Sequence, residues 1–215
     1  MKSREPKPGR HQTLPRGIVR ESKWLRVREV KPNVFEIQSK LLQDGLEPDP
    51  EEVDRMWPQL SPRERLDLCL AYCAKPEITK QDERILNIMM ERGDETIWGD
   101  LASVLTRHTD RMRVLGFLRE RVREQRTLVA NYYQALETMG DAGAVPLLIR
   151  RYQTYIAGGG KPEMADQALA VDYLGCCRAL WKLTGTDRYR QAIQEHVDAP
   201  SKFLRDLARR LLERP

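Results

Sequence analysis

The chain has 215 residues, of which 40% are hydrophobic and 32% are charged, and its formal net charge is +5. This length allows one domain with a substantial core. No apolar run reaches the roughly 18 residues of a membrane helix, and four cysteines do not make a disulfide scaffold. Neither a membrane-spanning protein nor a disulfide-rich miniprotein is therefore expected.

The positive charge lies at the N-terminus. Residues 1–32 contain ten basic and three acidic side chains, a balance of +7, whereas residues 33–215 have a balance of −2. The first segment also holds four prolines and almost no apolar residue before Ile18. Such a segment buries too little apolar surface to offset the entropy lost on ordering. We predict a disordered basic extension over residues 1–32 and one folded domain over residues 33–215.

The basic extension is a candidate contact for an acidic partner, whether phosphates, a membrane surface or an acidic protein groove. The alternative is a solubilising tail without a specific ligand, and the sequence does not separate the two. The side chains that would make such a contact are Arg4, Lys7, Arg10, Arg16 and Arg20.

Residues 24–42 fit two structures. Asn33 and Glu36 have the spacing of a capping box, and the apolar residues that follow have helical spacing up to Gly45. Leu25, Val27 and Val30 on one side of Lys31-Pro32-Asn33 are instead compatible with a hairpin. The helix is slightly favoured, and the hairpin remains open.

Residues 44–52 are predicted to be an acidic connection followed by a helix start, and the signals after them are those of helices. Ser61, Pro62 and Glu64 combine an N-cap, a proline in the first turn and a capping-box glutamate. Further helices are predicted to begin at Thr79, at Asp94 and at Thr109 or Asp110. The residues predicted to face inward on these four helices recur at core spacing: Leu66, Cys69, Leu70 and Cys73; Ile85, Ile88 and Met89; Ile97, Leu101 and Leu105; Leu115, Leu118 and Val122.

The remaining helices are marked by apolar residues at three- and four-residue spacing. They are predicted around Leu128, Tyr132 and Leu136; Val145, Leu148 and Tyr152; Leu169, Tyr173 and Leu180; Ala192; and Leu204, Leu207 and Leu211. No strand pattern stands out after residue 43. The sequence therefore predicts an all-α body.

Three stretches at predicted helix junctions are similar to one another. They are residues 105–113, 138–145 and 183–190, and each ends one helix and begins the next. Asp110 and Asp141 are 31 residues apart, and the longer interval to Asp187 holds an extra loop at 157–162. Helix pairs that repeat at such a period are typical of an α-solenoid, in which neighbouring units share one core.

Residues 132–150 resemble the junction of a HEAT repeat, in particular the bacterial variety first described in phycobilin lyases. In that family one helix ends in an apolar residue followed by Gly-Asp, and the next begins Ala-Val-Pro-x-Leu. Met139-Gly140-Asp141 and residues 144–148 stand at these positions. Gly140 suits a left-handed C-cap, Asp141 suits an N-cap and Pro146 lies in a first turn. The other junctions lack the proline, and the one near His108 also lacks the glycine.

The resemblance covers roughly residues 50–213 and implies a right-handed α-solenoid of about four to five antiparallel helix pairs. Proteins of this family are mostly binding scaffolds. A minority are enzymes, including bilin lyases and alkylpurine DNA glycosylases. No motif in the chain specifies a tetrapyrrole pocket.

The four cysteines do not have the spacing of a zinc site. Cys69 and Cys73 lie four residues apart and Cys176 and Cys177 are adjacent, so neither pair forms the Cys-x-x-Cys motif. The two pairs are also far apart in sequence, and leucines flank both. Buried free thiols and no bound metal are therefore expected.

The usual catalytic motifs are not met. His11, His108 and His196 do not pair with a serine, cysteine or aspartate in a recognisable catalytic arrangement. Residues 158–161, Gly-Gly-Gly-Lys, lack the earlier glycine and the following serine or threonine of a phosphate-binding loop. No catalytic residue and no cofactor are predicted, and the glycines are interpreted as a flexible loop that lengthens one repeat.

A nucleic-acid groove would require basic residues on the second helix of each repeat, which the HEAT resemblance places on the concave side. These helices offer only scattered candidates: Arg63 and Arg65, Arg107, Arg126, and Arg178 with Lys182. The last helix has a cluster, since Lys202, Arg205 and Arg209 share a face. This cluster is either a contact for a partner or the solvated face of a terminal repeat. The acidic balance of the body argues against a continuous phosphate-binding groove.

The tryptophans do not reproduce a glycosylase site, in which a tryptophan and an aspartate lie one helical turn apart. Trp98 and Asp100 are two residues apart and diverge on a helix, and Trp57 with Asp54 lies at the edge of the repeats. Packing between repeats is expected for Trp57, Trp98 and Trp181.

The function predicted from these observations is a cytoplasmic, non-catalytic scaffold or adaptor that presents a curved helical-repeat surface to another protein. The basic extension would add a second contact. One alternative is a nucleic-acid-binding module that uses the extension and the last helix. A further alternative is an enzyme of the lyase or glycosylase kind.

Overall fold

The fold is given by a computed structural model, which describes residues 48–124, 129–158 and 167–213. The described residues form helices joined by turns and contain no strand, which confirms the predicted all-α body for this part of the chain. The basic extension at 1–32, the ambiguous segment at 24–42, and residues 159–162 lie outside the described residues.

Ten α-helices follow one another along the described part of the chain. They are α1 (Pro50–Met56), α2 (Pro62–Ala74), α3 (Lys80–Arg92), α4 (Glu95–Leu105), α5 (Arg111–Glu124), α6 (Ala130–Thr138), α7 (Val145–Ala157), α8 (Gln167–Thr184), α9 (Asp187–Gln194) and α10 (Lys202–Glu213). Two short 3₁₀ helices, Trp57–Gln59 and Ala142–Ala144, precede the connections to α2 and α7.

The predicted helix starts at Ser61, Thr79 and Asp94 are confirmed. Ser61 and Thr79 each form a complete capping box, with Glu64 and Asp82 as the reciprocal partners. Asp94 accepts a hydrogen bond from the N–H of Thr96. These side chains satisfy backbone donors that a first helical turn otherwise leaves without partners.

Two helix ends use the left-handed conformation that glycine adopts without steric cost. Gly140 has a φ of 64° after α6, and Gly185 has a φ of 67° after α8. The predicted C-cap at Gly140 is therefore confirmed. Asp141, one residue later, accepts a hydrogen bond from the N–H of Gly143 and begins the 3₁₀ helix that leads into α7.

The even-numbered helices lie side by side in chain order. Helix α2 packs against α4, α4 against α6, α6 against α8 and α8 against α10. Among the odd-numbered helices, α1 contacts α3 and α5 contacts α7. Contacts between α3 and α4, α5 and α6, α7 and α8, and α9 and α10 join the two sets. A residue on an even-numbered helix is thus close to residues about thirty positions away in sequence.

The apolar core follows this packing in two clusters. The larger one is built around buried side chains from α1 to α9, among them Trp57, Leu68 and Tyr132. The smaller one joins α8, α9 and α10 through residues such as Leu174 and Leu204. Because burial continues from one helix pair to the next, short helices that would not be stable alone contribute to one shared core.

The predicted inward face of α2 is partly wrong. Cys69 is fully buried, but Leu70 is 43% exposed, and the positions that complete the buried face are Leu68 and Tyr72. Helix α2 has apolar residues on both faces, so the three- and four-residue spacing alone does not select the buried one.

Five of the seven tyrosines meet where α6, α7, α8 and α9 pack together. The rings of Tyr152 and Tyr173 stack with centroids 6.1 Å apart, and Tyr189 meets Tyr152 edge-on at 5.1 Å. The hydroxyls of Tyr133 and Tyr155 are hydrogen-bonded at 2.9 Å. Burial raises the pKa of Tyr155 to about 12, so the pair remains protonated at neutral pH. The cluster packs the core, as aromatic pairs do.

No helix in the described ranges is both long and apolar enough to cross a membrane.

Candidate functional site

Two adjoining depressions lie on the row formed by α4, α6, α8 and α10. The first, of about 400 Å³, lies between α4 and α6. The second, of about 130 Å³, lies between α6, α8 and α10. Asn131 and Gln134 of α6 line both of them. We call the two depressions together the groove.

The wall between the two depressions is the exposed face of α6. Asn131, Gln134 and Thr138 are exposed and follow at intervals of three and four residues, which places them on one side of the helix. Tyr133 and Leu136 are buried on the other side. Because the apolar face of α6 packs in the core, these three polar residues face the groove.

Hydrogen-bonding groups in the groove are not used inside the described part of the protein. The side chains of Asn131 and Gln134 make no hydrogen bond with any described residue, and the carboxylate of Asp100 has neither a hydrogen bond nor an ion pair there. Each amide offers a donor group and an acceptor oxygen. The groove thus presents two complete amides and one unpaired negative charge to whatever enters it.

The second depression contains a paired charge. The guanidinium of Arg178 in α8 meets the carboxylate of Glu137 in α6 at 2.9 Å, and the two side chains are only 8% and 12% exposed. Arg178 also donates a hydrogen bond to the carbonyl oxygen of Leu211 in α10. This pair links three helices and leaves the depression close to neutral, with Val171, Leu207 and Leu211 as apolar lining.

Close packing of α6 against α8 narrows the second depression. A Cβ atom at Gly175 would lie 3.2 Å from the Cβ of Ala130, which is tighter than most contacts of this kind. Glycine at this position allows the backbones of the two helices to approach.

A pair of thiols lies next to the first depression. Cys73 donates a hydrogen bond to the carbonyl oxygen of Asp100 at 3.4 Å, and the Ser103 hydroxyl is 3.6 Å from the Cys73 sulfur. Interaction with the neighbouring Cys69 thiol is the largest cause that lowers the pKa of Cys73 to about 7. The same interaction, together with burial, raises the pKa of Cys69 far above its ordinary value. Cys73 is half-buried, and Cys69, Cys176 and Cys177 are buried; all four are free thiols.

The two described histidines have structural contacts. The Nδ1 of His108 accepts a hydrogen bond from the N–H of Asp110 at 3.0 Å, which supports the turn before α5. His196 is buried and meets the ring of Tyr173 edge-on. His11 lies outside the described residues.

Several arginines donate to backbone carbonyls at helix ends or turns. Arg107 donates to the carbonyls at the end of α2, including that of Tyr72 at 3.2 Å, and Arg151 donates to the carbonyl of Val122 in α5 at 2.8 Å. Arg111 donates to the carbonyl of Met139. These cations stabilise carbonyl groups that a helix end leaves unpaired.

In the predicted cluster on the last helix, the two arginines also donate to backbone carbonyls. Arg205 donates to the carbonyls of Ala199 and Pro200 at 2.7 and 2.9 Å, and Arg209 donates to that of Val197 at 3.2 Å. Lys202 is exposed. The other predicted contacts, Arg4, Lys7, Arg10, Arg16 and Arg20, lie outside the described residues, as does Arg126.

The remaining basic candidates also have partners within the protein. Arg63 pairs with Asp67 on α2, and Arg65 pairs with Asp94 across two helices. Lys182 lies over the ring of Trp181 with its Nζ 4.8 Å from the centroid. The structure therefore does not bring the predicted arginines together into one basic groove in its described part.

The tryptophans lie in packing positions, as predicted. Trp57 is 2% exposed and donates to the carbonyl of Arg92 at 2.8 Å. Trp98 meets Phe117 edge-on, and the guanidinium of Arg121 lies 4.2 Å from the Trp98 ring centroid. Trp181 is half-buried against the core.

The groove is not apparent from the sequence. Its only local signal is the spacing of Asn131, Gln134 and Thr138, which is also that of an ordinary solvated helix face. The contribution of Asp100 depends on the packing of α4 against α6, and the apolar lining depends on α10 reaching α8. Neither packing is encoded in a local pattern.

Comparison with known proteins does not identify a relative: no family model, no curated protein and no solved structure matches the chain.

Proposed function

We propose that this chain is a HEAT-like α-solenoid that acts as a non-catalytic protein-binding scaffold in the cytoplasm. The observation that carries the proposal is the groove across α4, α6, α8 and α10, whose amides and carboxylate have no partner among the described residues. The basic residues 1–32 would add a second contact and raise the overall affinity through effective concentration.

The solenoid part of the proposal is supported by regularity of packing and of helix junctions. Each even-numbered helix from α2 to α8 contacts the next even-numbered helix. Gly140 and Gly185, which stand at equivalent positions in two of the similar junctions, are both left-handed. The free thiols of the chain suit a reducing compartment such as the cytoplasm.

A protein partner is supported by the chemistry of the groove. Side-chain amides pair well with peptide groups, because both offer one N–H donor site and one carbonyl acceptor. The only unpaired charge that we find in its described lining is the carboxylate of Asp100, which would repel phosphate.

The alternative of a nucleic-acid-binding module has less support. It depends on Lys202, Arg205 and Arg209 and on the basic extension, and two of these arginines already donate to carbonyls of residues 197–200. Phosphate binding requires several cations that release counterions together. An enzyme of the lyase or glycosylase kind would need a deep pocket with perturbed titratable groups. Cys73, whose pKa is lowered, adjoins the first depression but does not line it.

The proposal is tested by offering the full chain two defined classes of ligand. One is a displayed library of random peptides of about nine residues, a length that spans several helices in extended form; the other is a labelled single-stranded and a labelled duplex oligonucleotide. We expect selected peptides to bind, and their binding to persist when salt rises from about 50 to 200 mM. Oligonucleotide binding that falls steeply with salt, without any selected peptide, would contradict the proposal.

A further inference from the structure

We infer that the groove recognises an extended polypeptide segment through two side chains set about four residues apart. One is a lysine or arginine that pairs with Asp100. The other is an apolar side chain that enters the depression between α6, α8 and α10. This inference rests on the proposed protein-binding function and adds the chemical identity of the ligand.

The cationic requirement comes from Asp100. Its carboxylate lines the first depression beside Ser103 and Asn131 and forms no ion pair with any described residue. It is also half-buried, so a ligand that covers it removes it further from water. Covering an unpaired carboxylate costs free energy because the carboxylate loses its contact with water. A cation on the ligand offsets this cost by pairing with the carboxylate directly. Electrostatic complementarity therefore selects a basic side chain at this position.

The apolar requirement comes from the second depression. Its charged members, Glu137 and Arg178, satisfy each other, and its remaining lining includes Val171, Leu207 and Leu211. Its volume is about 130 Å³. Because an apolar cavity of about 150 Å³ accommodates a benzene ring, this space accepts one branched aliphatic or small aromatic side chain.

The separation between the two positions follows from helix packing. Asp100 belongs to α4, and the apolar depression lies between α6 and α8 and is also lined by α10. Packed helices have axes about 8–10 Å apart, so the distance from α4 to the gap between α6 and α8 is about 12–15 Å across the row. An extended chain advances about 3.3 Å per residue and every second side chain faces the same way, so two side chains about four residues apart span this distance and both face the groove.

The segment between them is extended because of α6. Asn131 and Gln134 lie between the two depressions with unused amide groups. An extended segment carries backbone N–H and C=O groups that still need partners, whereas a helical ligand has already paired its own. The amides of α6 can therefore hydrogen-bond the backbone of an extended ligand without selecting its sequence.

The experiment uses the peptides selected by the full chain from the random library. We expect the selected sequences to share a lysine or arginine and an apolar residue about four positions apart. Affinity is then measured by fluorescence anisotropy for Asp100→Asn and for Val171→Phe, which narrows the apolar depression. Each change should weaken binding by about tenfold or more.

The matched control variants change the same chemistry outside the groove. Asp187→Asn removes a carboxylate from an exposed position on α9, and Gln153→Phe adds an aromatic ring to an exposed position on α7. Both should bind as the wild type does. Thermal unfolding of every variant checks the fold. For a peptide whose basic residue is replaced with methionine, the Asp100→Asn variant should bind about as tightly as the wild type does.

The possible outcomes separate this inference from the function that it rests on. If peptides bind but Asp100→Asn and Val171→Phe bind as tightly as their controls, the protein-binding function stands and the groove assignment is overturned. If no peptide is enriched, both are overturned. Equal loss with the basic and the methionine peptide on Asp100→Asn would overturn the ion pair, because the charge would not be what Asp100 recognises.

Discussion

The carboxylate of Asp172 in α8 accepts a hydrogen bond from the backbone N–H of Val129 at 2.8 Å, across 43 residues of sequence. The same oxygen accepts from the N–H of Ala130 at 3.0 Å. Val129 is the N-cap residue of α6, and its own side chain cannot accept a hydrogen bond. A fully buried side chain from another helix therefore caps the helix whose exposed face lines the groove.

Replacing this long-range cap should destabilise the whole domain. Asp172→Ala would leave two backbone donors at the start of α6 without their acceptor, and we expect a loss of about 2–3 kcal/mol in the free energy of unfolding. Urea denaturation followed by circular dichroism measures it. Asp172→Asn keeps an acceptor oxygen and should lose less. Equal stability of Asp172→Ala and wild type would contradict the capping role.

This cap also shows what a local sequence pattern does not predict. The sequence predicts the helix starts at Ser61, Thr79 and Asp94 because a capping side chain and its backbone donors are close in sequence. The side chain of Val129 at the start of α6 cannot act in this way, and the cap found among the described residues belongs to α8. The same limit applies to the groove, because Asp100, Asn131 and Leu211 are brought together only by the packing of α4, α6, α8 and α10.

The fold class can be predicted from the sequence, whereas the site cannot, for the same reason. Helical spacing and capping residues predict each helix locally, and the similar junctions near Asp110, Asp141 and Asp187 indicate a regular order. Which face is buried depends on neighbours, as the exposed Leu70 illustrates. The sequence likewise does not show that arginines donate to backbone carbonyls, because Arg107 contacts the end of α2 some thirty residues earlier.

The buried pair of Glu137 and Arg178 should couple strongly. Arg178→Met would leave the Glu137 carboxylate buried without its cation and should cost about 3 kcal/mol, the usual effect of breaking a buried ion pair. The double variant Glu137→Gln with Arg178→Met removes both charges and should recover part of that loss. Unfolding free energies of the two single variants and the double variant measure the coupling. Additive losses would show that the two side chains do not act as a pair.

Two glycines within or at the end of helices should respond to alanine in opposite directions. Gly116 lies in α5 with no atom within 4 Å of an added Cβ, so Gly116→Ala should stabilise by about 0.5–1 kcal/mol. At Gly93, an added Cβ would lie 2.3 Å from the Met89 carbonyl oxygen and 2.7 Å from Ile97. Gly93→Ala should therefore destabilise. Melting temperatures compare the two variants directly, and a shift in the same direction for both would refute the packing at Gly93.

The basic residues of α10 should differ in their effect on stability. Arg205 donates to two carbonyls in the turn before the helix, so Arg205→Ala should cost about 1 kcal/mol in unfolding free energy. Lys202 is exposed on the same helix, and Lys202→Ala should be close to neutral. Chemical denaturation of both variants provides the comparison. If Lys202→Ala lost more stability than Arg205→Ala, the assignment of Arg205 to the turn would be wrong.

The thiol of Cys73 should be the most reactive in the folded protein below pH 8. The neighbouring Cys69 thiol and the charge of Arg107 favour the thiolate, so the pKa of Cys73 falls from 9.0 to about 7. Because the thiolate is the nucleophile, its alkylation by iodoacetamide should rise with pH through about 7 and level off about one unit higher. Mass spectrometry of the folded protein across this pH range identifies the modified residue, and Cys73→Ser removes the fast reaction. In Cys69→Ala the largest cause of the lowered pKa is gone, so the rising part of the profile should move toward the ordinary thiol range. An unchanged profile in Cys69→Ala would show that the neighbouring thiol does not control the reactivity of Cys73.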